Sequence, residues 1–285
     1  MLYFSVLSSG SKANGTFVSD GQKSVLVDCG LSLREATKRI EGLGARTEDI
    51  AGILITHEHG DHVSGVAKLA KKYEIPVYVN SNTLSVIQDN YSWSNVNAVE
   101  VEKGAAFNIA DFEIEAFSID HDAIDPVGYK ITLGEQSLVV VTDVGRVSST
   151  LKHYLAAADA LVLEFNHDPD MLLECAYPWE LKQRIKGNKG HLSNQCAASL
   201  VAEIGAEENC RLQIVVAAHI SEKSNTPELV VEEFHRAWGE VKAKPNFVVA
   251  GVAVATELFS VAELSGRSEI ELVSETLYAQ VVGQN

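Results

Sequence analysis

Short apolar runs rich in β-branched residues recur along the chain with amphipathic stretches between them, and this alternation limits the fold more than any other feature. LYFSVL, SVLVD, GILITH, VYVN, VGYKITL, SLVVVTD, ALVLEF, LQIVVAAH and FVVAGVAVAT read as strands. SLREATKRIEGLG with Ser32 as its cap, VSGVAKLAKKY, STLKHYLAAA, PWELKQRIKG, LSNQCAASLVAEIG and TPELVVEEFHRAWGEV read as helices. Strands interleaved with helices in this way make a layered α/β domain. At 285 residues and 46% hydrophobic, the chain can fill one large core unaided. No linker, low-complexity tract or short-period repeat interrupts it. One domain over residues 1–260 is therefore expected, with 261–285, which lose the apolar strand signal, as a peripheral tail.

The N-terminal MLYFSVLSSGSKANG has no basic n-region, and no stretch approaches the roughly 18 apolar residues of a membrane span. A soluble, unprocessed, cytoplasmic protein with no membrane partner is the expectation; the oligomeric state is left open. Cys29, Cys175, Cys196 and Cys210 stand far apart with no C-x-x-C pair and read as reduced thiols. A net charge of −16 opposes nonspecific attraction to nucleic acid or anionic membrane, while leaving room for a local basic patch.

The apolar run of GILITHEHGDHVSG breaks straight into histidines and carboxylates. His57 and His59 stand two apart at a strand end, and Asp61 and His62 follow a glycine that lets the backbone turn, so four donors can converge from one loop. Imidazole with carboxylate suits zinc, manganese or iron. A solvated polar loop is the plain alternative, but this density of donors argues against it. Four donors exceed the three protein ligands of an open catalytic zinc site, so two metals are worth seeking. His121 in FSIDHDAIDPVGYKI, Asp143 at the end of SLVVVTDVG and His219 at the end of LQIVVAAHIS lie at the polar exits of apolar segments, where each would reach the same rim. Taken singly, Asp143 reads equally as a turn residue and His219 as a core histidine.

These residues carry a resemblance. THEHGDH resembles the H-x-H-x-D-H signature of the metallo-β-lactamase-fold hydrolases, and VLVDCG, VVVTDVG and AAHIS resemble that superfamily's further motifs in order, across roughly residues 1 to 256. LSSGSKANGTFV, HDAIDPVGYKI, LEFNHD and KGHLSN are similar to the YycJ/WalJ (VicX) branch, regarded as exonuclease-type phosphodiesterases. The resemblance implies a four-layer αβ/βα sandwich with metals at one edge of its sheets. It implies that His57, His59 and His121 hold one ion, that Asp61, His62 and His219 hold a second, and that Asp143 bridges them. Asp28 resembles an aspartate bracing the metal loop, though a simple strand-end turn reads as well; Glu58 and Gly60 fill variable positions.

Two divalent ions about 3.5 to 4 Å apart can share a water, lower its pKa and clamp a phosphoryl or carbonyl oxygen. Asp61 is the expected base and orienter of that nucleophile. His191 precedes Ser193, a helix N-cap by its position, so imidazole and free N–H groups can face one anionic oxygen there, or His191 is a surface residue before a helix. His153 and His235 read as surface or boundary residues. His167 either buttresses the site with Glu164 and Asn166 or starts a loop. In LKQRIKGNKGH, Lys182, Arg184, Lys186 and Lys189 run without an acidic residue, as a phosphate-binding surface that Ser193 would join or as a solvated helix face.

Only 21 residues separate His121 from Asp143, and 75 separate Asp143 from His219. Those intervals are too short for the protruding arm of tRNA 3′-processing relatives and for the inserted domain of RNase J-like ones. The leading expectation is a dinuclear phosphodiesterase acting on nucleic acid, as a 5′→3′ DNA exonuclease using a metal-bridging hydroxide. Hydrolysis of a small or cyclic phosphodiester is the alternative. Lactone or thioester hydrolysis lacks a matching pocket motif, and a binding protein that has lost catalysis comes last because every proposed ligand is present.

Overall fold

The computed structural model of the chain describes residues 1–239 and 245–261. Its strands are β1 (Tyr3–Ser8), β2 (Gly15–Ser19), β3 (Ser24–Val27), β4 (Ile50–Leu54), β5 (Val77–Val79), β6 (Ala98–Glu100), β7 (Ala106–Ile109), β8 (Phe112–Ser118), β9 (Val127–Leu133), β10 (Gln136–Val141), β11 (Ala160–Glu164), β12 (Ile214–Ala218), β13 (Asn246–Val249) and β14 (Phe259–Ser260). The helices are α1 (Leu33–Gly42), α2 (Gly60–Val63), α3 (Val66–Tyr73), α4 (Ser81–Asn90), α5 (Ser149–Ala156), α6 (Pro169–Glu174), α7 (Trp179–Lys186), α8 (Asn194–Gly205) and α9 (Pro227–Trp238). Two 7-stranded sheets result, ordered β14-β1-β2-β3-β4-β5-β6 and β13-β12-β11-β10-β9-β8-β7.

Side chains alternate across a strand, so a strand buried on both faces reads as one continuous apolar run. In β12, Ile214, Val216 and Ala218 enter the core between the sheets, while Val215 and Ala217 turn outward to pack with residues of α5, α8 and α9. In β4 and just beyond it, Leu54 faces the inter-sheet core, and Ile53 and Ile55 face residues of α1, α3 and α4. The layers are therefore helix, sheet, sheet, helix, as the expected αβ/βα sandwich of the metallo-β-lactamase fold requires. Parallel pairing joins β3 through β6 and β10 through β13, so those strands end on a common rim within each sheet. Ser32 caps α1 by accepting from Glu35 N, and Ser193 caps α8 by accepting from Cys196 N.

Some elements differ from the sequence reading. FVVAGVAVAT is not one strand: β13 stops at Val249, and the chain crosses to the other sheet, where Thr256 N donates to Val6 O and β14 pairs with β1. VSGVAKLAKKY is split at Gly65, where an added Cβ would stand 1.8 Å from Leu31 O. The strands β2, β6, β7 and β8 and the helices α4 and α6 lie outside the runs singled out, although Phe112–Ser118 has a visible near-alternation of buried and exposed positions. Val261 is buried and its N–H donates to Leu2 O at 3.0 Å; the remainder of the expected tail, 262–285, lies outside the described residues. No helix among the described residues is long and apolar enough to cross a membrane, and all four cysteines are free.

Candidate metal centre

Each donor of the site leaves the C-terminal end of a strand: the 57–62 loop after β4, His121 after β8, Asp143 after β10 and His219 after β12. Backbone geometry sharpens the aim. Asp28, Asp143 and His219 adopt left-handed φ values of 59°, 57° and 54°. A residue other than glycine held there costs on the order of 1 to 3 kcal/mol and persists only where its surroundings enforce it. Asp28 N donates to Leu54 O at 2.8 Å, and His219 N donates to Ser9 Oγ at 2.6 Å. After Asp143, Val144 N donates to Glu164 Oε2 at 2.9 Å and Gly145 N to Asp120 O at 2.8 Å. The loop itself is clamped from below, where Asn14 N donates to Asp61 O, Cys29 N donates to His62 O, and a Cβ on Gly30 would stand 1.7 Å from Asp61 O.

All seven expected donors converge. His57, His59 and His121 bring one ligand atom each within 4.8 Å of one another, as do Asp61, His62 and His219, and Asp143 forms an overlapping set with His57 and His62. His57 Nε2 faces His59 Nδ1 at 3.1 Å, and His62 Nε2 lies 3.1 Å from Asp143 Oδ2 and 3.5 Å from Asp61 Oδ2. Asp143 Oδ1 is 3.7 Å from His121 Nε2 and 3.5 Å from His219 Nδ1.

The opposite ring nitrogens are tied back. His62 Nδ1 donates to Asp28 Oδ2 at 2.7 Å, His121 Nδ1 to Gly190 O at 3.2 Å, and His57 Nδ1 to Thr56 Oγ1 at 3.0 Å. Thr56 in turn donates its N–H and hydroxyl to Asp28. Fixing Nδ1 leaves Nε2 as the inward-facing lone pair, the arrangement that orients a metal-ligating imidazole. His121 Nε2, His219 Nε2 and Asp143 Oδ2 are buried with no hydrogen-bond partner. Each such atom costs about 1 to 3 kcal/mol unless something satisfies it. Imidazole nitrogen and carboxylate oxygen aimed at one point fit a divalent cation.

Glu164, fully buried at the end of β11, is the residue the sequence reading undervalued. Its Oε1 accepts from His219 Nδ1 at 2.7 Å and His191 Nδ1 at 2.8 Å, and its Oε2 accepts from Val144 N and Leu192 N. One carboxylate thus fixes residues from three separate segments. A signal was present, because Glu164 ends the apolar run ALVLEF just as the other donors end theirs. Asn14 was also missed; its Nδ2 lies 3.0 Å from both Asp61 Oδ2 and His62 Nε2. Asn166 holds His219 through the backbone oxygen at 2.9 Å. His167 is buried and uses its backbone to accept from Asn194 N at the start of α8, while burial lowers its imidazole pKa to about 4. His153 and His235 are exposed.

Charges inside the site are strongly coupled. Burial disfavours ionisation of Glu164, yet His191 and His219 hold its carboxyl down at about 2. Burial likewise opposes protonation of His219, but Asp143, Asp61 and Glu164 push it up to about 10. Asp143 and Asp28 raise His62 against its burial, whereas burial drives His57 and His121 down. Asp61 is lowered, against burial, by His219 and His62. His191 is raised by Glu164 despite desolvation, and its side chain is 20% exposed where that of Asp143 is 4%. That difference puts His191 at the mouth, on a cleft of about 200 Å³ lined also by Ser11, Asn166, Tyr177, Arg184 and Ser221.

The basic segment is less uniform than its sequence. Arg184 is ion-paired with Asp122, next to His121, and Lys182 Nζ donates to Leu173 O at 2.6 Å. Lys186 and Lys189 have no carboxylate of the described residues within 4.0 Å. Ser193 Oγ is occupied as the α8 cap. Glu58 Oε1 accepts from Ile124 N and so braces the neighbouring loop.

Residues 23–220 match the family model described as the beta-lactamase superfamily domain. The chain is 35% identical over 234 residues to exodeoxyribonuclease YycJ of Bacillus anthracis, covering 80% of this chain and 86% of that protein. It is 35% identical over 230 residues to exodeoxyribonuclease WalJ of Streptococcus pneumoniae strain D39, covering 79% and 84%. The metallo-β-lactamase-fold protein YhfI of Bacillus subtilis superposes with a TM-score of 0.70 at 16% identity, over 90% of this chain and 100% of that one.

Proposed function

Because the chain belongs to the beta-lactamase superfamily domain family, and within it to the branch of the YycJ and WalJ exodeoxyribonucleases, we propose that it is a metal-dependent phosphodiesterase acting as a 5′→3′ exonuclease on DNA. The observation that carries this reading is the convergence of seven donors on one rim, beside a histidine that opens onto a cleft. His57, His59 and His121 would hold one divalent ion, Asp61, His62 and His219 a second, with Asp143 shared. Zinc and manganese suit such a mixture of nitrogen and oxygen, as does iron. When bound, the ions supply Lewis acidity that polarises a phosphoryl oxygen and makes water acidic near neutral pH.

The chain's own residues supply the rest. Asp61, steadied by Asn14, orients the attacking water and accepts its proton. His191, with Nδ1 held on Glu164, keeps Nε2 for the substrate, and the Glu164 carboxylate raises its pKa against burial, which favours the protonated ring. It delivers that proton to the leaving oxygen. Residues 1–260 would act as one catalytic domain, with 261–285 peripheral.

A second reading, hydrolysis of a small or cyclic phosphodiester, draws on the net charge of −16 and on the Arg184–Asp122 pair, which neutralises a cation at the cleft. Incubating metal-loaded protein with 5′-phosphorylated DNA, matching RNA and an aryl phosphodiester separates the two. Mononucleotides released progressively from the DNA 5′ end are the expected result. Cleavage of the aryl or cyclic diester alone would replace the nuclease with the small-molecule enzyme.

A further inference from the structure

Among the described residues, 11 of the 20 lysines and arginines have a carboxylate within 4.0 Å, as in Lys12–Glu222, Lys152–Glu203 and Arg211–Asp159. Those with no such partner among the described residues gather in two places. One is the neighbourhood of the cleft, with Lys182, Lys186, Lys189 and Lys223. The other lies on the far side of the metal loop, on α1 and α3, where Arg34, Lys38, Lys68 and Lys72 line an open groove of about 570 Å³ with Glu41 as its one acidic wall residue. Lys71, the remaining lysine of α3, is the fifth cation of this group with no carboxylate partner among the described residues, its Nζ donating to Ser92 O.

The arrangement is repulsive as it stands. Arg34 and Lys38 are four apart on α1, and Lys68 and Lys72 are four apart on α3, so each helix carries like charges about 6 Å apart along one face. Like charges at this spacing destabilise a helix, and here two such rows meet across a groove. An anion with charges repeated along its length relieves all four at once, whereas a single phosphate reaches only part of the row.

The groove also starts at the catalytic loop. Gly65 N, just before α3, donates to Cys29 O at 2.9 Å, and Cys29 N donates to His62 O at 2.8 Å. Gly65 lies so close to Leu31 that no side chain fits between them. The N-terminal ends of α1 and α3 therefore sit together against the segment carrying His62, with Arg34 and Lys68 in the near turns and Lys38 and Lys72 one turn farther out.

We propose that the groove between α1 and α3 holds the phosphate backbone of the DNA strand beyond the nucleotide being removed, which makes it an anchoring surface separate from the cleavage cleft. The assignment rests on the nuclease reading above. Contacts made by lysine and arginine to phosphates carry no sequence information, so the grip is indifferent to base identity.

The test uses the full chain, metal-loaded, with Arg34→Glu, Lys38→Glu, Lys68→Glu and Lys72→Glu combined. A companion variant carries Gln at the same four positions, and a charge-matched control carries Glu at the paired, exposed Lys23, Arg46, Lys152 and Arg236. Binding and cleavage of a long single-stranded oligonucleotide are measured against salt, alongside hydrolysis of an aryl phosphodiester. The groove variant should bind the oligonucleotide at least about tenfold more weakly, with a salt slope flattened by about 3, since each lost phosphate contact on a single strand removes about 0.7. The Gln variant should fall between it and the parent, the control should stay close to the parent, and aryl diester hydrolysis should not change. A groove variant indistinguishable from a DNA-cleaving parent overturns the groove and leaves the nuclease standing; so does an equal loss in the control. If the parent binds but does not cut DNA, and the groove variant alone loses that binding, the groove stands and the nuclease reading falls. A parent that neither binds nor cuts DNA overturns both.

Discussion

Two buried carboxylates, one in each half of the molecule, hold the site from behind, and they do so on different scales. Asp28, at the end of β3, serves its own neighbourhood: it fixes His62 by Nδ1 and Thr56 by N–H and hydroxyl, all within the loop after the adjacent β4. Glu164, at the end of β11, joins parts that are otherwise independent, namely the turn after β10, the segment before α8 and the end of β12. One carboxylate stiffens a loop; the other sets the distance between a proton donor and a metal-facing imidazole. Loss of Asp28 should therefore be felt mainly as weaker metal binding, and loss of Glu164 as weaker binding together with a slower chemical step.

The largest expected effect lies where the two halves meet. Asp143 faces His62 from the first half and His219 and His191 from the second. Asp143→Ala should lose metal and activity together, measured by metal analysis and turnover on the same sample. A variant that retains two ions would remove Asp143 from between the halves.

His191→Ala should come next, lowering turnover by about 10² to 10⁴, the usual contribution of a positioned general acid, while metal content stays at the parent level. Asp143, Glu164, His191 and His219 also lie within ligand distance of one another. If His191→Ala empties the site, His191 is a ligand and Glu164 belongs to the metal centre itself.

The paired conservative variants then test the contrast directly. Asp28→Asn and Glu164→Gln should each weaken metal affinity by about 10- to 100-fold, the range for residues that orient metal ligands. At saturating metal, Asp28→Asn should recover most of its turnover and Glu164→Gln should not. Equal recovery would erase the distinction between the two carboxylates.

The smallest effect concerns stability of the metal-stripped chain. His219 is raised to about 10 and His62 is raised in the same direction. A histidine whose folded pKa exceeds its unfolded value of about 6.5 contributes its full stabilisation below that value and loses it as the pH climbs through the folded pKa. Melting temperature in chelator should fall between about pH 7 and pH 10, and Glu164→Gln should flatten that fall more than Asp28→Asn does. A melting temperature that rises over this window would contradict the assignment of charge.

Much of this was legible in the sequence for a physical reason. Strands buried on both faces must be apolar along their whole length, so SLVVVTD and LQIVVAAH advertise both the strand and the polar residue at its end. The sequence could not display which ends face one another. His191 and His219 stand 27 and 55 positions from Glu164, and only the order of β10, β11 and β12 brings them to it. Short strands such as Ala98–Glu100, with no fully buried residue, offer little pattern at all. The run FVVAGVAVAT misled because a chain crossing from one sheet to the other keeps its apolar character at the ends while leaving Val254 half exposed in the middle.

The left-handed backbone at Asp28, Asp143 and His219 bears on the order of events during biogenesis. A side chain aimed by main-chain geometry is already placed when the sheets close, before any cation arrives. Holding three such residues takes a finished sheet on either side, so metal-free chain is expected to fold first and to bind ions afterwards, which a native circular dichroism spectrum of stripped protein would check. In a small zinc-nucleated module the order is reversed, because there the metal supplies the folding energy. Newly made chains in a metal-starved cell would thus accumulate as folded, idle protein that a later supply of metal can switch on without refolding.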